Sequence, residues 1–263
     1  MSTFFVPSEN IRYEADAPVS ASVYGEDVNH IRNVLRMTVG DPLLLCDSRG
    51  LVYHCEIEEI SAERISAAIR SVTVSETERQ IPVYLFQGVP KGDKMELIIQ
   101  KGVELGVNGI FPVITERTVV KFHSAADAEK KQVRWQRISL EAAKQCGRGA
   151  VPEVTMPAPI GEVLKKMTQP MFRNALKLIP YENEHNITLK NVLQEHRAAL
   201  TAQKAGSLDA ICIMIGPEGG FSVSEVSAAE NAGFIPVSLG KRILRTETAG
   251  FAAIAAIRYE FDD

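Results

Sequence analysis

The stretch Ile211-Cys212-Ile213-Met214-Ile215, followed at once by Gly216-Pro217-Glu218-Gly219-Gly220-Phe221 and then by Ser222-Val223-Ser224-Glu225, decides how the chain is read. Five consecutive apolar residues closed by a Gly/Pro turn mark a strand buried on both faces, the kind that parallel sheets use. Ser222 with Glu225 three positions later forms a capping box, so a helix starts directly after the turn. Glycines let backbone amides approach a bound molecule, and the helix amino end favours electron-rich groups, which makes the turn a candidate ligand cradle. It has neither the Walker spacing, since no Lys-Ser/Thr follows, nor the GxGxxG order. A purely structural turn is the competing reading of the bare pattern.

A second strand end lies at Leu239-Gly240-Lys241-Arg242-Ile243-Leu244-Arg245-Thr246-Glu247-Thr248-Ala249, with three cations and a carboxylate ahead of a helix that is small or apolar over 249–257. Such a helix must pack closely on the sheet or on a partner subunit. Lys241 and Arg242 read most simply as a solvated turn, and Thr246 suits a helix N-cap. Arg245 differs: between Leu244 and the cap, a long cation must be paired or point into a site. A third strand end, Leu178-Ile179-Pro180-Tyr181-Glu182, carries an aromatic and a carboxylate.

Working outward, apolar strand candidates at 82–87, 110–114, 175–179, 210–215 and 234–239 alternate with helical segments at 93–105, 130–146, 189–204, 222–232 and 247–259. That alternation predicts a parallel α/β sheet. Upstream the pattern is short strands at 3–6, 19–24, 43–46, 51–57 and 65–74, with turns at Gly40-Asp41-Pro42 and Asp47-Ser48-Arg49-Gly50 and one helical piece at 26–35. A small β-barrel is the natural architecture, and the polar stretch 75–80 reads as a linker. The expected domains are therefore 1–75 and 76–263.

Composition sets limits on partners. The 263 residues carry a net charge of -4, so the whole-molecule field offers no general attraction for nucleic acid, and any polyanion must be held by local patches. Residues 1–80 carry 7 basic and 13 acidic groups, whereas 81–160 carry 11 and 8. No apolar run reaches the length of about eighteen residues that a membrane span needs, and residues 1–10 lack a basic start and apolar stretch, so a cytoplasmic protein is expected. Cys46, Cys55, Cys146 and Cys212 are scattered without CxxC spacing, which predicts reduced thiols and no metal cluster.

The two segments 215–221 and 239–249 together resemble the carboxyl-terminal signature of the SPOUT methyltransferases, specifically the RsmE family. The likeness extends through Gln100-Lys101-Gly102-Val103-Glu104-Leu105-Gly106-Val107, Glu141-Ala142-Ala143-Lys144-Gln145-Cys146-Gly147-Arg148 and His30-Ile31-Arg32-Asn33-Val34-Leu35-Arg36, and so covers essentially the full chain. The chain departs from the family where Ser2 and Thr3, rather than a basic residue, precede Phe4-Phe5. The resemblance implies an α/β trefoil-knot domain with a parallel sheet, a PUA-like or OB-like barrel before it, and a homodimer formed through the knot. It implies S-adenosylmethionine as cofactor and methylation of the N3 imide nitrogen of a uridine in 16S ribosomal RNA, on the 30S subunit. The cofactor would lie across three loops: Leu178, Pro180 and Tyr181; Ile215, Gly216, Pro217, Glu218, Gly219 and Gly220; and Leu239, Gly240, Ile243, Leu244 and Thr246. Backbone groups there would meet the adenine edge in an apolar slot supplied by Ile215, Leu239, Ile243 and Leu244.

Uracil's imide nitrogen has no free lone pair until it loses its proton, so an enzyme acting there must favour the imidate by a base or by a cation near the carbonyl oxygens. Arg245 is the candidate cation and Glu247 the candidate base, with Glu218 or a water as alternatives, because a guanidinium does not give up its proton. Attack at carbon 5 would need a cysteine nucleophile, for which Cys146 and Cys212 are poorly placed. Arg12, His30, Arg32 and Arg36 are candidates for an RNA-binding patch on the barrel, Arg32 and Arg36 one helical turn apart, with Lys144 and Arg148 further on. Two other readings stand beside this one: a SPOUT enzyme acting on a ribose 2'-hydroxyl or a tRNA base, and a noncatalytic RNA-binding ribosome assembly factor that needs no ligand slot.

Overall fold

A computed structural model describes residues 3–78, 81–202 and 208–262. The chain divides into two compact units, Met1–Arg79 with Ala143–Val151, and Gln80–Ala142 with Pro152–Asp263. The expected break at residue 75 thus falls four residues later, and a short return segment joins the first unit. Ser2, Arg79, Gln80 and the Lys204 end of the expected helix lie outside the described residues.

The first unit contains β1 (Thr3–Phe5), β2 (Ile11–Glu14), β3 (Ala17–Tyr24), α1 (Glu26–Asn29), β4 (Pro42–Cys46), β5 (Leu51–Ile60) and β6 (Arg64–Val74). They form one six-stranded sheet in the order β1-β4-β5-β6-β3-β2, antiparallel except where β1 runs parallel to β4. No ladder joins β1 to β2 among the described residues, so the sheet stays open there. Phe4, Val23, Ile31, Leu45, Tyr53, Ile57 and Ile65 fill its core, as alternation along a half-buried sheet requires. β2 escapes sequence reading because only Ile11 of its four residues is buried. It is held by a tight turn in which Ala15 and Asp16 both take positive φ, the geometry of a two-residue hairpin.

Three expectations about cations in this unit are corrected. The helical piece gives way to a π-helical turn over His30–Val34, and Arg36 follows at φ +54°, so Arg32 and Arg36 do not share a helix face. Arg148 is only 5% exposed and is clamped by Glu78, Nη2 to Oε2 at 2.6 Å and Nε to Oε1 at 3.0 Å. A buried guanidinium is tolerated only with such a partner, and it cannot reach RNA. Lys144 Nζ is paired with Asp27 Oδ1 at 2.8 Å and is mostly buried. Arg12 lies beside Glu14 in an exposed pair, Arg32 Nη1 donates to the Ser61 carbonyl at 3.5 Å, and the exposed His30 ring meets Phe4 edge-on at 5.6 Å.

The second unit alternates β7 (Val83–Gly88), α2 (Lys94–Glu104), β8 (Gly109–Ile114), α3 (Ala125–Cys146, whose residues from Ala143 on fall in the first unit), β9 (Glu153–Val154), β10 (Ala158–Pro159), α4 (Ile160–Lys166), β11 (Leu176–Pro180), α5 (Leu189–Thr201), β12 (Ile211–Ile215), α6 (Val223–Asn231), β13 (Ile235–Val237) and α7 (Thr246–Phe261). All ladders are parallel, in the order β10-β8-β7-β12-β11-β13 with β9 also on β8. β12 stands between β7 and β11 with all five residues buried, which is why it reads as an unbroken apolar run. After β13 at the sheet edge the chain returns, and α7 packs on α2, α5 and the central strands β7 and β12. The apolar last helix is therefore covered by this sheet and its helices along Ala253, Ile254 and Ile257.

Candidate active site

In open parallel sheets, ligands bind beyond the carboxyl ends of the strands. The residues following β11, β12 and β13 meet there around one cavity of about 610 Å³. Pro180 and Tyr181 come from the first strand end; Ile215, Gly216, Pro217, Glu218 and Gly220 from the second; Leu239, Gly240, Ile243, Leu244, Arg245 and Thr246 from the third. Their convergence is a finding of the structure that sequence order alone does not contain.

Close backbone approach builds the cradle. Gly220 takes φ +66° and a Cβ there would meet nothing within 4 Å, so the turn leaves open space over the cavity. Gly240 takes φ +109° in the facing loop. Beneath them, Gly88 at the end of β7 touches the turn so tightly that a Cβ would lie 2.5 Å from Pro217 N. The capping box expected after the turn is present: Glu225 Oε2 accepts from the Ser222 N–H at 2.9 Å, and Ser222 Oγ from the Glu225 N–H at 3.4 Å.

Several expectations are corrected at this point. Leu178 is wholly buried in β11 and does not line the cavity. Gly219 turns its carbonyl to Arg117 Nη1 at 2.8 Å, away from the cavity lining. Ile243 lines the rim but is 86% exposed, so it contributes little to a dry slot. The N-cap of α7 is Arg245, not Thr246, and its side chain makes no cap bond. Thr246 is buried, and its hydroxyl donates to the Gly216 carbonyl at 2.6 Å while accepting from Gln87 Nε2 at 2.9 Å. Lys241 and Arg242, read as a solvated turn, are exposed but also line the cavity.

Lys94, from the first turn of α2, is the cavity residue that sequence reading missed most completely. Its Nζ lies 2.9 Å from Glu218 Oε1 and 3.7 Å from Glu247 Oε2. That contact, with charge attraction to both carboxylates, raises the Lys94 pKa against the opposing effects of burial and of Arg245 nearby. Burial alone would push the Glu218 pKa up, but the Lys94 ammonium and the backbone N–H groups of Glu218 and Lys91 bring it below the usual glutamate value. A group whose folded pKa is depressed stabilises the fold above its unfolded pKa and loses that contribution as pH falls through the folded value. An NMR titration should place the Glu218 carboxyl midpoint below that of a free glutamate. In Lys94→Met the midpoint should rise, because burial is then opposed by backbone donors alone; an unmoved midpoint contradicts the pairing.

Glu247 does not line the cavity, and its Oε2 is buried without a hydrogen bond. Among the described residues no salt bridge engages Arg245, which is exposed at the cavity wall. Burial raises the Cys212 thiol to about 12, so it holds no thiolate near neutral pH. Among the described residues no group of three or more His, Cys, Asp or Glu gathers as a metal site, and no helix is long and apolar enough to cross a membrane.

Comparison with known proteins agrees with this geometry. Residues 77–258 match the model of the RNA methyltransferase domain, and residues 23–70 that of the RNA methyltransferase PUA domain. The parallel sheet with its strand-end cavity, preceded by a PUA-like unit, is thus an RNA methyltransferase of SPOUT type. Ribosomal RNA small subunit methyltransferase E of Bacillus subtilis is 35% identical over 260 residues, 99% of this chain and 97% of that protein. The enzyme of that name from Buchnera aphidicola of Schizaphis graminum is 31% identical, covering 98% of each. A crystal structure of ribosomal RNA small subunit methyltransferase E from Neisseria gonorrhoeae bound to S-adenosyl methionine is 34% identical, with a TM-score of 0.79 over 99% of this chain and 98% of that one. The chain belongs to the ribosomal RNA small subunit methyltransferase E family.

Proposed function

We propose that this protein uses S-adenosylmethionine to methylate the N3 imide nitrogen of one uridine in 16S ribosomal RNA, within the 30S subunit. The observation that carries the reading is a cavity formed by three strand ends, with the guanidinium of Arg245, which no salt bridge engages among the described residues, at its wall. Its volume suits a nucleoside-sized ligand. The space over Gly220 and the backbone of the three turns fit a purine edge that needs hydrogen bonds but no charge. When bound, the sulfonium supplies an already activated methyl group, so the chain's own task is alignment, exclusion of water and preparation of the nucleophile.

Arg245 holds the negative charge that spreads over the uracil carbonyl oxygens once the imide proton leaves. Glu218 is a poor acceptor for that proton, being engaged by Lys94 and Lys91. Glu247 has a buried oxygen, Oε2, that makes no hydrogen bond and has the Lys94 ammonium 3.7 Å away; it is assigned as acceptor, with one water bridging from the cavity it does not itself line. Carbon methylation is disfavoured because Cys212 is protonated and lies outside the cavity lining.

The same reading includes the trefoil threading, supported by the return of α7 from the sheet edge to its centre. It includes a homodimer through this unit, supported by the stripe of exposed residues Thr248, Ala252, Ala255 and Tyr259 along one face of α7. Residues 1–80 are acidic overall, so Arg12, His30, Arg32 and Arg36 would act through the folded shape of an assembled particle rather than bulk charge. Work in the cytoplasm, on ribosomal subunits, follows from that substrate.

Mass spectrometry of ribosomal RNA from cells lacking this gene tests the assignment. Loss of one N3-methyluridine from 16S RNA, restored by the purified protein on 30S particles, is expected. Loss of a ribose-methylated nucleotide or of a tRNA base modification would replace this reading, and an unchanged profile would overturn it.

A further inference from the structure

Behind the cavity lies a polar residue that the reaction as described does not use. Gln87, near the end of β7, is fully buried among apolar strands. Its Nε2 donates to the Gly88 carbonyl at 3.0 Å and to Thr246 Oγ1 at 2.9 Å, while its Oε1 has no hydrogen-bond partner. An unpaired buried amide oxygen is costly, so such a residue calls for an explanation.

The donors and acceptors fix which way the amide points. The Gly88 and Gly216 carbonyls can only accept. The single Thr246 proton is committed to Gly216 at 2.6 Å, so Thr246 must receive a proton from Gln87, and Gly88 must receive the other. The result is a one-way chain from Gln87 through Thr246 to Gly216. It spans 159 residues in sequence at its first link and 30 at its second. It runs from β7 through the first residue of α7 to the backbone of the glycine turn, and the last two of these belong to two of the three walls of the cavity. Gly250, one turn into α7, lies beside this side chain: a Cβ there would stand 3.7 Å from Gln87 Oε1, an ordinary van der Waals contact.

We propose that Gln87 is a positioning residue of the cofactor site. By fixing the Thr246 hydroxyl as a donor toward Gly216, it holds the 216–220 turn in register with the 239–246 loop. Without the amide, Thr246 can rotate its proton elsewhere, and the two walls lose their shared fastening. This rests on the S-adenosylmethionine assignment above.

Calorimetric titration of S-adenosylmethionine into the full chain tests it, using Gln87→Met, Thr246→Val, their double variant and Thr246→Ser, with thermal melts run alongside. Each of the first two should weaken binding about tenfold, and the double variant should be no worse than either alone, because one chain is cut at either link. Thr246→Ser, which keeps the hydroxyl, should recover most of the affinity lost in Thr246→Val. In methyl-transfer assays the cofactor KM should rise while kcat at saturating cofactor changes little. Wild-type affinity in a folded Gln87→Met, multiplying losses in the double variant, or no recovery in Thr246→Ser would each overturn the role. If Gln87→Met fails to fold, the Thr246 pair still decides. A wild-type chain that binds no S-adenosylmethionine overturns the cofactor assignment first and this role with it.

Discussion

Arg245→Ala is expected to lower kcat for methyl transfer to 30S particles by about 10²- to 10³-fold, the usual cost of removing one donor aimed at a developing anion. The side chain is exposed at the cavity wall and no salt bridge holds it among the described residues, so its removal leaves no buried partner uncompensated. The melting temperature should therefore stay within the range of ordinary surface substitutions. It caps α7 through its backbone and not its side chain, so the helix start survives the change. Cofactor affinity should change little, since one lost cation at the rim removes no wall of the cavity. Arg245→Lys should recover only part of the rate, because an ammonium cannot match a planar pair of carbonyl-directed donors. Single-turnover assays on 30S particles separate these effects. Unchanged turnover in Arg245→Ala would remove the guanidinium from the mechanism and leave the imidate to be stabilised by another of the cavity's cations, Lys94, Lys241 or Arg242.

What was legible in the sequence is what local chemistry dictates. The apolar run of β12, the Gly/Pro turn after it and the Ser222–Glu225 box are consequences of neighbours in sequence, and all three stand where expected. The three strand ends carry glycines, a proline and charges in short order, so they announce themselves as loops worth attention. Residues whose roles depend on distant partners gave no such signal. Lys94 reads as an ordinary first-turn residue of a helix, yet its partner Glu218 is 124 residues away. Arg148 reads as a free cation, but Glu78, 70 residues earlier, buries it. Thr246 illustrates the limit best: the local rule makes a threonine at that position a cap, whereas the fold spends its hydroxyl on Gly216. Gln87 could be read only as the last polar letter of a strand.

Gly88→Ala is the second large effect, and it follows from distance alone. A methyl group on Gly88 would stand 2.5 Å from both the nitrogen and Cδ of Pro217 and 2.9 Å from the carbonyl carbon of Gly216. None of these atoms belongs to a flexible side chain, so either β7 or the 216–220 turn must move. β7 is hydrogen-bonded to β8 on one side and β12 on the other, which leaves the turn as the part that yields. Overpacking of this kind costs about 1–3 kcal/mol, and every 1.4 kcal/mol taken from the bound geometry is about tenfold in affinity. Gly88→Ala should therefore melt several degrees lower and bind S-adenosylmethionine roughly ten- to a hundredfold more weakly. Gly161→Ala provides the contrast: it lies in α4 with nothing within 4 Å of the added carbon, so helix propensity should make it neutral or stabilising by up to about 1 kcal/mol. Thermal melts and calorimetry on the two variants read the difference directly. A Gly88→Ala chain with wild-type melting and wild-type affinity would show that the turn is not braced by β7, and the cavity wall would then owe its shape to the Thr246 link and the capping box alone.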